Sequence, residues 1–278
     1  MDLEGIIPLS EKIHIADIGA SDLGEKPSYS VLLERKLGRL SAFDGDERQK
    51  EKLLEKYGYA LDFYSEIIAD GCQQTLYLAS PISGMSSILK PSKDRLSFFN
   101  GFSSFCNPQN VLNVESKRLD DLVDLEAIDF LIMDIQGAEL LVLKNATQKL
   151  KDCVAIQLEV SFVPLYEAQP SFGEIDLWMR ENGYLPHRFV SIKPWSISPT
   201  IRGGQLNIPF NQLMEADIVY IRDPLKFNML SVQQIINIAY ISLYAYESPD
   251  LAVFCLLELE RRGVGRSLVE NFFSQSSL

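Results

Sequence analysis

The chain has 278 residues, 46% of them hydrophobic and 23% charged, and its 26 Lys and Arg stand against 38 Asp and Glu for a formal net charge of −12. This is an ordinary globular composition, which excludes a disordered or fibrous chain, and at about 150 residues per domain it allows one large α/β domain or two small ones. With no basic block to displace counterions from a phosphate backbone, nucleic acid is not an expected partner.

The most apolar stretch, Ile235 to Leu259, is broken by Asn237, Ser242, Glu247, Ser248, Pro249 and Asp250. No transmembrane segment is therefore expected. The opening MDLEGIIPLS has neither a basic region nor a signal-length apolar run, so the expected compartment is the cytoplasm. Cys72, Cys106, Cys153 and Cys255 are tens of residues apart and carry no metal-thiolate spacing, which fits small buried hydrophobes.

In chain order, short β-branched runs alternate with helical patterns, the form of repeated βα units around a mostly parallel sheet. Strand Ile13 to Ile18 leads into a Gly/Ser/Asp turn. Helix Tyr29 to Leu40, strand Leu40 to Phe43 and a charged helix from Glu47 to Lys56 follow. A third strand is expected over Ala60 to Ala69 and a hairpin arm over Gln74 to Ala79. Ser80 to Asn113, rich in Ser, Pro, Asn and Phe, reads as a long functional loop.

Ile128 to Ile135 is a central buried strand, followed by a helix from Ala138 to about Leu150, strand Val154 to Val160, and helix Glu174 to Asn182 stopped at Gly183. Strands Phe189 to Ile192 and Ile218 to Arg222 come next. Helices Val232 to Tyr246 and Pro249 to about Arg262 close the pattern. The expected division is a sheet domain over 1–228 and a C-terminal helical extension over 229–278, either covering the sheet or forming a homodimer surface.

The turn after the first strand holds Asp17, Gly19, Ala20, Ser21 and Gly24. Small residues let a ligand touch the backbone there, and the turn amides are expected to face an anion or polar tail. Ser21 occupies the second glycine of a dinucleotide fingerprint, which disfavours a diphosphate and favours a nucleoside with a zwitterionic tail. Asp44, ending the second strand, is placed to accept hydrogen bonds from both hydroxyls of a ribose.

IDFLIMDIQGAELLV from Ile128 to Val142, Lys144-Asn145-Ala146 and IQLEVSFVPLYEAQPSF from Ile156 to Phe172 resemble the FkbM family of S-adenosylmethionine-dependent methyltransferases. Weaker similarity covers Asp17 to Gly24, DGCQQTLYL from Asp70, SGMSSIL from Ser83, and Arg118-Leu119-Asp120-Asp121, so that the resemblance spans roughly residues 13 to 190. It implies a Rossmann-like methyltransferase fold with a seven-stranded, mostly parallel sheet flanked by helices, the last strand antiparallel. It also implies S-adenosylmethionine as cofactor and methyl transfer to a hydroxyl of a sugar, glycolipid or polyketide.

Carried over by position, Gly19, Ala20 and Gly24 hold the methionine part, Asp44 the ribose and Ala69-Asp70 the adenine edge, while Asp134 faces the sulfonium and the acceptor. The chain departs from the family in carrying Ile132 where a Lys usually precedes that Asp by two residues, and Asp44-Gly45 where an acidic-Pro pair is common. Two rival functions are an inactive cofactor-binding scaffold and a nicotinamide-dependent oxidoreductase. The latter lacks a hydride-transfer constellation.

A neutral hydroxyl acceptor needs a base. The candidates are Asp134, Glu139 and Glu159 at strand ends, with His187 further out and near substrate. Glu139 also suits pairing with a helix amino terminus, and Glu159 suits a buried, hydrogen-bonded acid. The acids lack tight metal-ligand spacing, so no metal is expected. Ser83, Met85 and Ser86 are expected to orient a polyhydroxyl acceptor, and Tyr166 to stack on a sugar face. The chain is thus expected to be an O-methyltransferase acting on a small-molecule or glycan acceptor.

Overall fold

The computed structural model describes residues 2–20, 26–45, 48–80, 84–205 and 208–275. In chain order the elements begin β1 (Ile13–Ile18), α1 (Ser30–Glu34), β2 (Gly38–Phe43), α2 (Arg48–Tyr57), β3 (Leu61–Tyr64), β4 (Ile67–Ile68) and β5 (Gln73–Leu78). They continue with α3 (Lys93–Phe98), α4 (Phe102–Phe105), β6 (Asn110–Lys117), β7 (Phe130–Met133), α5 (Glu139–Lys144), β8 (Ala155–Ser161) and α6 (Phe172–Glu181). The chain closes with β9 (Tyr184–Pro194), β10 (Leu213–Arg222), α7 (Val232–Tyr246), α8 (Pro249–Arg261) and α9 (Leu268–Ser274).

Seven strands form one sheet in the order β3-β2-β1-β7-β8-β10-β9. Neighbouring pairs from β3 to β8 are parallel, and β10 runs antiparallel to both β8 and β9. The strand order reverses between β1 and β7, and in open α/β sheets ligands bind beyond the carboxyl ends of the strands at such a point.

Alternation along β1 separates the two faces of the sheet. Ile13 and Ile15 join a core with α1 and α7, whereas Ala16 and Ile18 join one with α5 and α6. The first core also takes in Leu3 and Ile7, because the Tyr244 hydroxyl accepts from Leu3 N at 2.8 Å and the Tyr240 hydroxyl donates to Ile7 O at 2.8 Å. Ile235, Ile238 and Ile241 of α7 are buried in it, so the C-terminal helices cover one face of the sheet. Each fully buried aliphatic side chain of this kind is worth about 1.5–3 kcal/mol. A Ser231–Gln234 capping box starts α7, and Glu247 in the left-handed region ends it.

Several sequence expectations change: the helix expected over Ala138 to about Leu150 is the shorter α5, and the strand expected over Phe189 to Ile192 is the longer β9. The helix expected over Tyr29 to Leu40 stops early, with Lys36 at φ 62°, and β2 begins at Gly38. A Cβ on Gly38 would lie 2.8 Å from Ile15 Cδ1, so a larger residue there would require the Ile15 side chain to shift.

The single strand expected over Ala60 to Ala69 is two: β3 joins the main sheet, and β4 joins a separate three-stranded sheet in the order β4-β6-β5. The Ser80 to Asn113 segment is not one long loop. It contains α3, α4 and the start of β6, because Leu96, Phe99 and Phe102 pack with Cys106, Leu165, Tyr166 and Met214 in a third core. Two of its phenylalanines, Phe99 and Phe102, are core residues, a use that irregular spacing hides from periodicity, whereas Phe98 and Phe105 are exposed. Among the described residues no helix is long and apolar enough to cross a membrane.

Candidate active site

The parallel register places Ile18, Phe43 and Met133 side by side, so the next residues, Gly19, Asp44 and Asp134, stand in a row at the strand ends. Gly19 N donates to Phe43 O at 2.9 Å and Asp134 N to Ile18 O at 3.1 Å, which extends the ladder one residue beyond the strands. At about 4.8 Å between strands, the backbones of Asp44 and Asp134 are about 10 Å apart across β1.

These three residues line a cavity of about 630 Å³, within the range of about 300–1,000 Å³ usual for small-molecule sites. Its near wall adds Gly45, Gln49, Glu66, Ile67 and Ile68. Its far wall comes from the small sheet, where Leu76, Leu78, Leu112 and Val114 face inward, and from Ser86, Ser87 and Ile88. The Tyr77–Ser87 bridge ties that last segment to β5.

Gly19 has φ +86°, and a Cβ built there would lie 2.2 Å from the carbonyl oxygen of Asp134. Only glycine fits between β1 and β7 at this point. The amides of Gly19 and Ala20 both donate to Phe43 O, and Ala20 is buried in the core. For Gly19 and Ala20 the expectation that the turn amides face an anion is therefore corrected, since strand extension consumes these two, while the turn residues from Ser21 to Gly24 lie outside the described residues.

Asp17 lies below the cavity floor and its Oδ2 accepts from the Tyr29 hydroxyl at 2.7 Å. Burial, against the Tyr29 bond and helped by the neighbouring acids Asp134 and Asp44, pushes its pKa up to about 7. Asp134 is open to the cavity, and its Oδ1 accepts from Gln136 Nε2 at 2.8 Å. Protein packed beneath it raises its pKa to about 6, while the Lys193 ammonium and the Gln136 bond hold it down.

Glu139 is buried, and its Oε1 accepts from Ile135 N at 3.1 Å and Gly137 N at 3.2 Å. It caps the β7–α5 turn without lining the cavity, and burial pushes its pKa up to about 7. Glu159, next to Asp134 on β8, is also buried, and burial with the adjacent acids raises its pKa well above the ordinary range. Lys193 Nζ reaches Glu159 Oε2 at 3.3 Å and Glu215 Oε1 at 3.0 Å. Burial alone would lower the Lys193 pKa, but Glu215 and Glu159 outweigh it and raise it.

Several predicted contacts are not assembled at the cavity. Asp70 accepts from Cys72 N at 3.0 Å and Gln74 Nε2 at 2.6 Å in a turn, and Ala69 is fully buried. Glu66, Ile67 and Ile68, just upstream, line the wall instead. Tyr166 is 1% exposed and its hydroxyl lies 3.0 Å from Met85 O and 3.2 Å from Gln136 Oε1, so its ring packs in the core and offers no face to a sugar.

His187 Nε2 is bonded to Ser248 Oγ at 3.0 Å, against the start of α8. Ser86 lines the cavity, and its Oγ accepts from Ala79 N at 3.1 Å. Met85 contributes its carbonyl to Tyr166. Ser21, Gly24 and Ser83 lie outside the described residues.

Sequence reasoning missed Gln136, Lys193 and the aliphatic wall. The alternation in Gln74 to Leu78 signals the wall, whereas nothing around Lys193 marks it. Among the described residues no group of three or more His, Cys, Asp or Glu is arranged to hold a metal ion.

The model of the methyltransferase FkbM domain matches residues 17–186, well over half the chain. The chain belongs to the FkbM methyltransferase family. No curated protein matches it. Similar solved structures include magnesium protoporphyrin IX methyltransferase from Synechocystis PCC 6803 with bound S-adenosylmethionine, at 12% identity over 76% of this chain and 71% of that one, TM-score 0.38. Precorrin-6y C5,15-methyltransferase from Geobacter metallireducens is 13% identical over 79% of this chain and 84% of that one, TM-score 0.38.

FkbM enzymes use S-adenosylmethionine. The site's chemistry fits that cation. Asp44, Glu66 and Asp134 line the cavity, Ile67, Ile68 and Phe43 offer apolar surface beside them, and Gly19 leaves room beside β1. Ile132 is buried, and the ammonium acting on Asp134 is Lys193 of β9.

Proposed function

We propose that this FkbM protein methylates a hydroxyl of a saccharide, glycolipid or secondary metabolite, with Asp134 as the base. The observation that carries the reading is Asp134 itself, a carboxylate exposed to the cavity at the end of β7 and directly across from Gly19. When bound, S-adenosylmethionine supplies an electrophilic methyl group, its C–S bond breaking as the new C–O bond forms.

Asp134 takes the proton that the acceptor hydroxyl loses. With a pKa near 6 it is ionised at neutral pH and basic enough to help. Asp44 accepts from the ribose hydroxyls, and the cavity walls align the reactants and exclude water. Leu76, Leu78, Leu112 and Val114 support an acceptor with an apolar part beside its hydroxyls.

Asp134→Asn is expected to lower turnover about 10²- to 10⁴-fold while leaving affinity for S-adenosylhomocysteine within about threefold. Methyl transfer to a glycan or lipid acceptor with a free hydroxyl, with calorimetry for S-adenosylhomocysteine, measures both. Full activity in that variant would remove Asp134 from the mechanism, and cofactor binding without transfer to any acceptor would favour a scaffold.

Asp44→Ala is expected to weaken S-adenosylhomocysteine binding about tenfold or more, the loss of a bidentate charged hydrogen bond. Unchanged affinity would take the ribose away from Asp44.

A further inference from the structure

Gln136 stands in the tight turn after β7 with φ 56°, a left-handed conformation that is costly for a side chain with a Cβ. It is buried, and its side-chain amide and backbone carbonyl are all engaged. Its Nε2 donates to Asp134 Oδ1 at 2.8 Å and reaches Glu159 Oε1 at 3.5 Å. Its Oε1 faces the Tyr166 hydroxyl at 3.2 Å, and its backbone carbonyl accepts from Ser87 Oγ at 2.8 Å.

This environment determines the orientation of the amide. Turned over, it would set a carbonyl oxygen against the Asp134 and Glu159 carboxyl oxygens and take the donor away from Asp134 Oδ1. A Glu in its place would have no N–H to give and would add a charge. An apolar residue would leave Asp134 Oδ1 without its donor.

We propose that Gln136 is the positioning residue of the site: its amide holds Oδ1 of Asp134, turns Oδ2 toward the acceptor, and ties the cavity acid to Glu159, Tyr166 and the Ser87 wall. This rests on the reading of Asp134 as base, but its test does not use turnover. Gln136 itself touches no reactant; it acts through Asp134.

The donated bond favours the charged form of Asp134. Around that carboxylate stand Asp17 on β1, Glu139 on α5, Glu159 on β8, Lys193 on β9, and Glu215 and Asp217 on β10. Lys193 also favours the charged form, and the acids oppose it. Without the Gln136 donor the balance shifts toward the protonated acid.

In protein carrying ¹³C-labelled Asp carboxyls, with the Asp134 signal identified by its loss in Asp134→Asn, Gln136→Met is expected to raise the Asp134 midpoint by about one pH unit. Gln136→Glu is expected to raise it further. Affinity for S-adenosylhomocysteine stays within about threefold in Gln136→Met, as expected for a bond made below the cavity floor.

A second measurement needs no variant at position 136. In the wild type, the side-chain amide resonances of Gln136 should move with the Asp134 midpoint and stop moving in Asp134→Asn. An Asp134 midpoint unchanged by both substitutions, or a Gln136 amide that ignores the titration, would overturn the assignment. Neither result depends on whether Asp134→Asn abolishes turnover, which tests the base itself.

Discussion

Gly19→Ala is expected to destabilise the protein by about 3 kcal/mol or more and to abolish binding of S-adenosylhomocysteine. Two costs combine. A non-glycine residue at φ +86° pays about 1–2 kcal/mol for the left-handed region. The new Cβ would also stand 2.2 Å from Asp134 O, 3.1 Å from Asp134 C and 3.2 Å from Ile135 Cγ2.

Two of those atoms are backbone on the neighbouring strand, so no rotamer change relieves the contact. β1 and β7 must part at the point that carries the cavity floor. At about 2–4 °C per kcal/mol for a chain of this size, calorimetry should show a fall of about 6–12 °C in melting temperature.

Gly58→Ala is the control. Gly58 also has positive φ, +55°, but a Cβ there meets nothing within 4 Å, so it should cost only about 1 kcal/mol. If both variants melted alike and Gly19→Ala still bound S-adenosylhomocysteine, strain alone would explain the effect and the close approach of β1 and β7 would not matter.

Gly19 also shows why the fold was largely readable from sequence. Its strand-glycine-helix setting is local, and local signals located most of the parallel strands and both long C-terminal helices. Val232 to Tyr246 emerges with the expected bounds because a capping box and an apolar helix agree. Register then does the rest, since pairing Ile18 with Phe43 and Met133 aligns Gly19, Asp44 and Asp134 without further information.

What local pattern does not carry is partnership across the sheet. Ile67 and Ile68 continue the apolar run of β3 yet leave the main sheet to pair with Ser116 and Lys117, tens of residues later. Tyr166 lies inside the best-matched family motif, but a third core built from α3 and α4 claims its ring. Glu139 and Glu159 look alike in sequence as acids at strand ends. Only the backbone amides around Glu139 and the ammonium near Glu159 separate a turn cap from a charge network.

Lys193 is the largest omission, and replacing it should have the strongest pH dependence in the molecule. It stands opposite Glu215 on β10, and Glu159 is reached from one strand further. Lys193→Met is expected to leave those carboxylates buried without their ammonium. Breaking a buried pair costs about 3–5 kcal/mol, and because the Lys193 side chain is 44% exposed the expected loss at pH 8 is about 1–3 kcal/mol.

The sign of the pH dependence follows from Glu159. Its pKa is raised in the folded protein, so the folded state binds more protons than the unfolded one once pH passes the ordinary value of 4.5. Stability contributed by neutral Glu159 is complete below that value and is lost as pH rises toward the folded one. Lys193 opposes this loss by stabilising the ionised acid, and its own raised pKa keeps it charged throughout the range.

Removing Lys193 therefore costs little near pH 5, where Glu159 holds its proton, and most near pH 8. Urea unfolding at both values measures the difference, and Glu159→Gln in the Lys193→Met background should recover most of the loss at pH 8. Equal destabilisation at pH 5 and pH 8 would mean that Lys193 acts by packing alone. The same ammonium lowers the Asp134 pKa, so its removal should also shift the acid limb of any activity profile upward, linking a stability residue on β9 to the base at the end of β7.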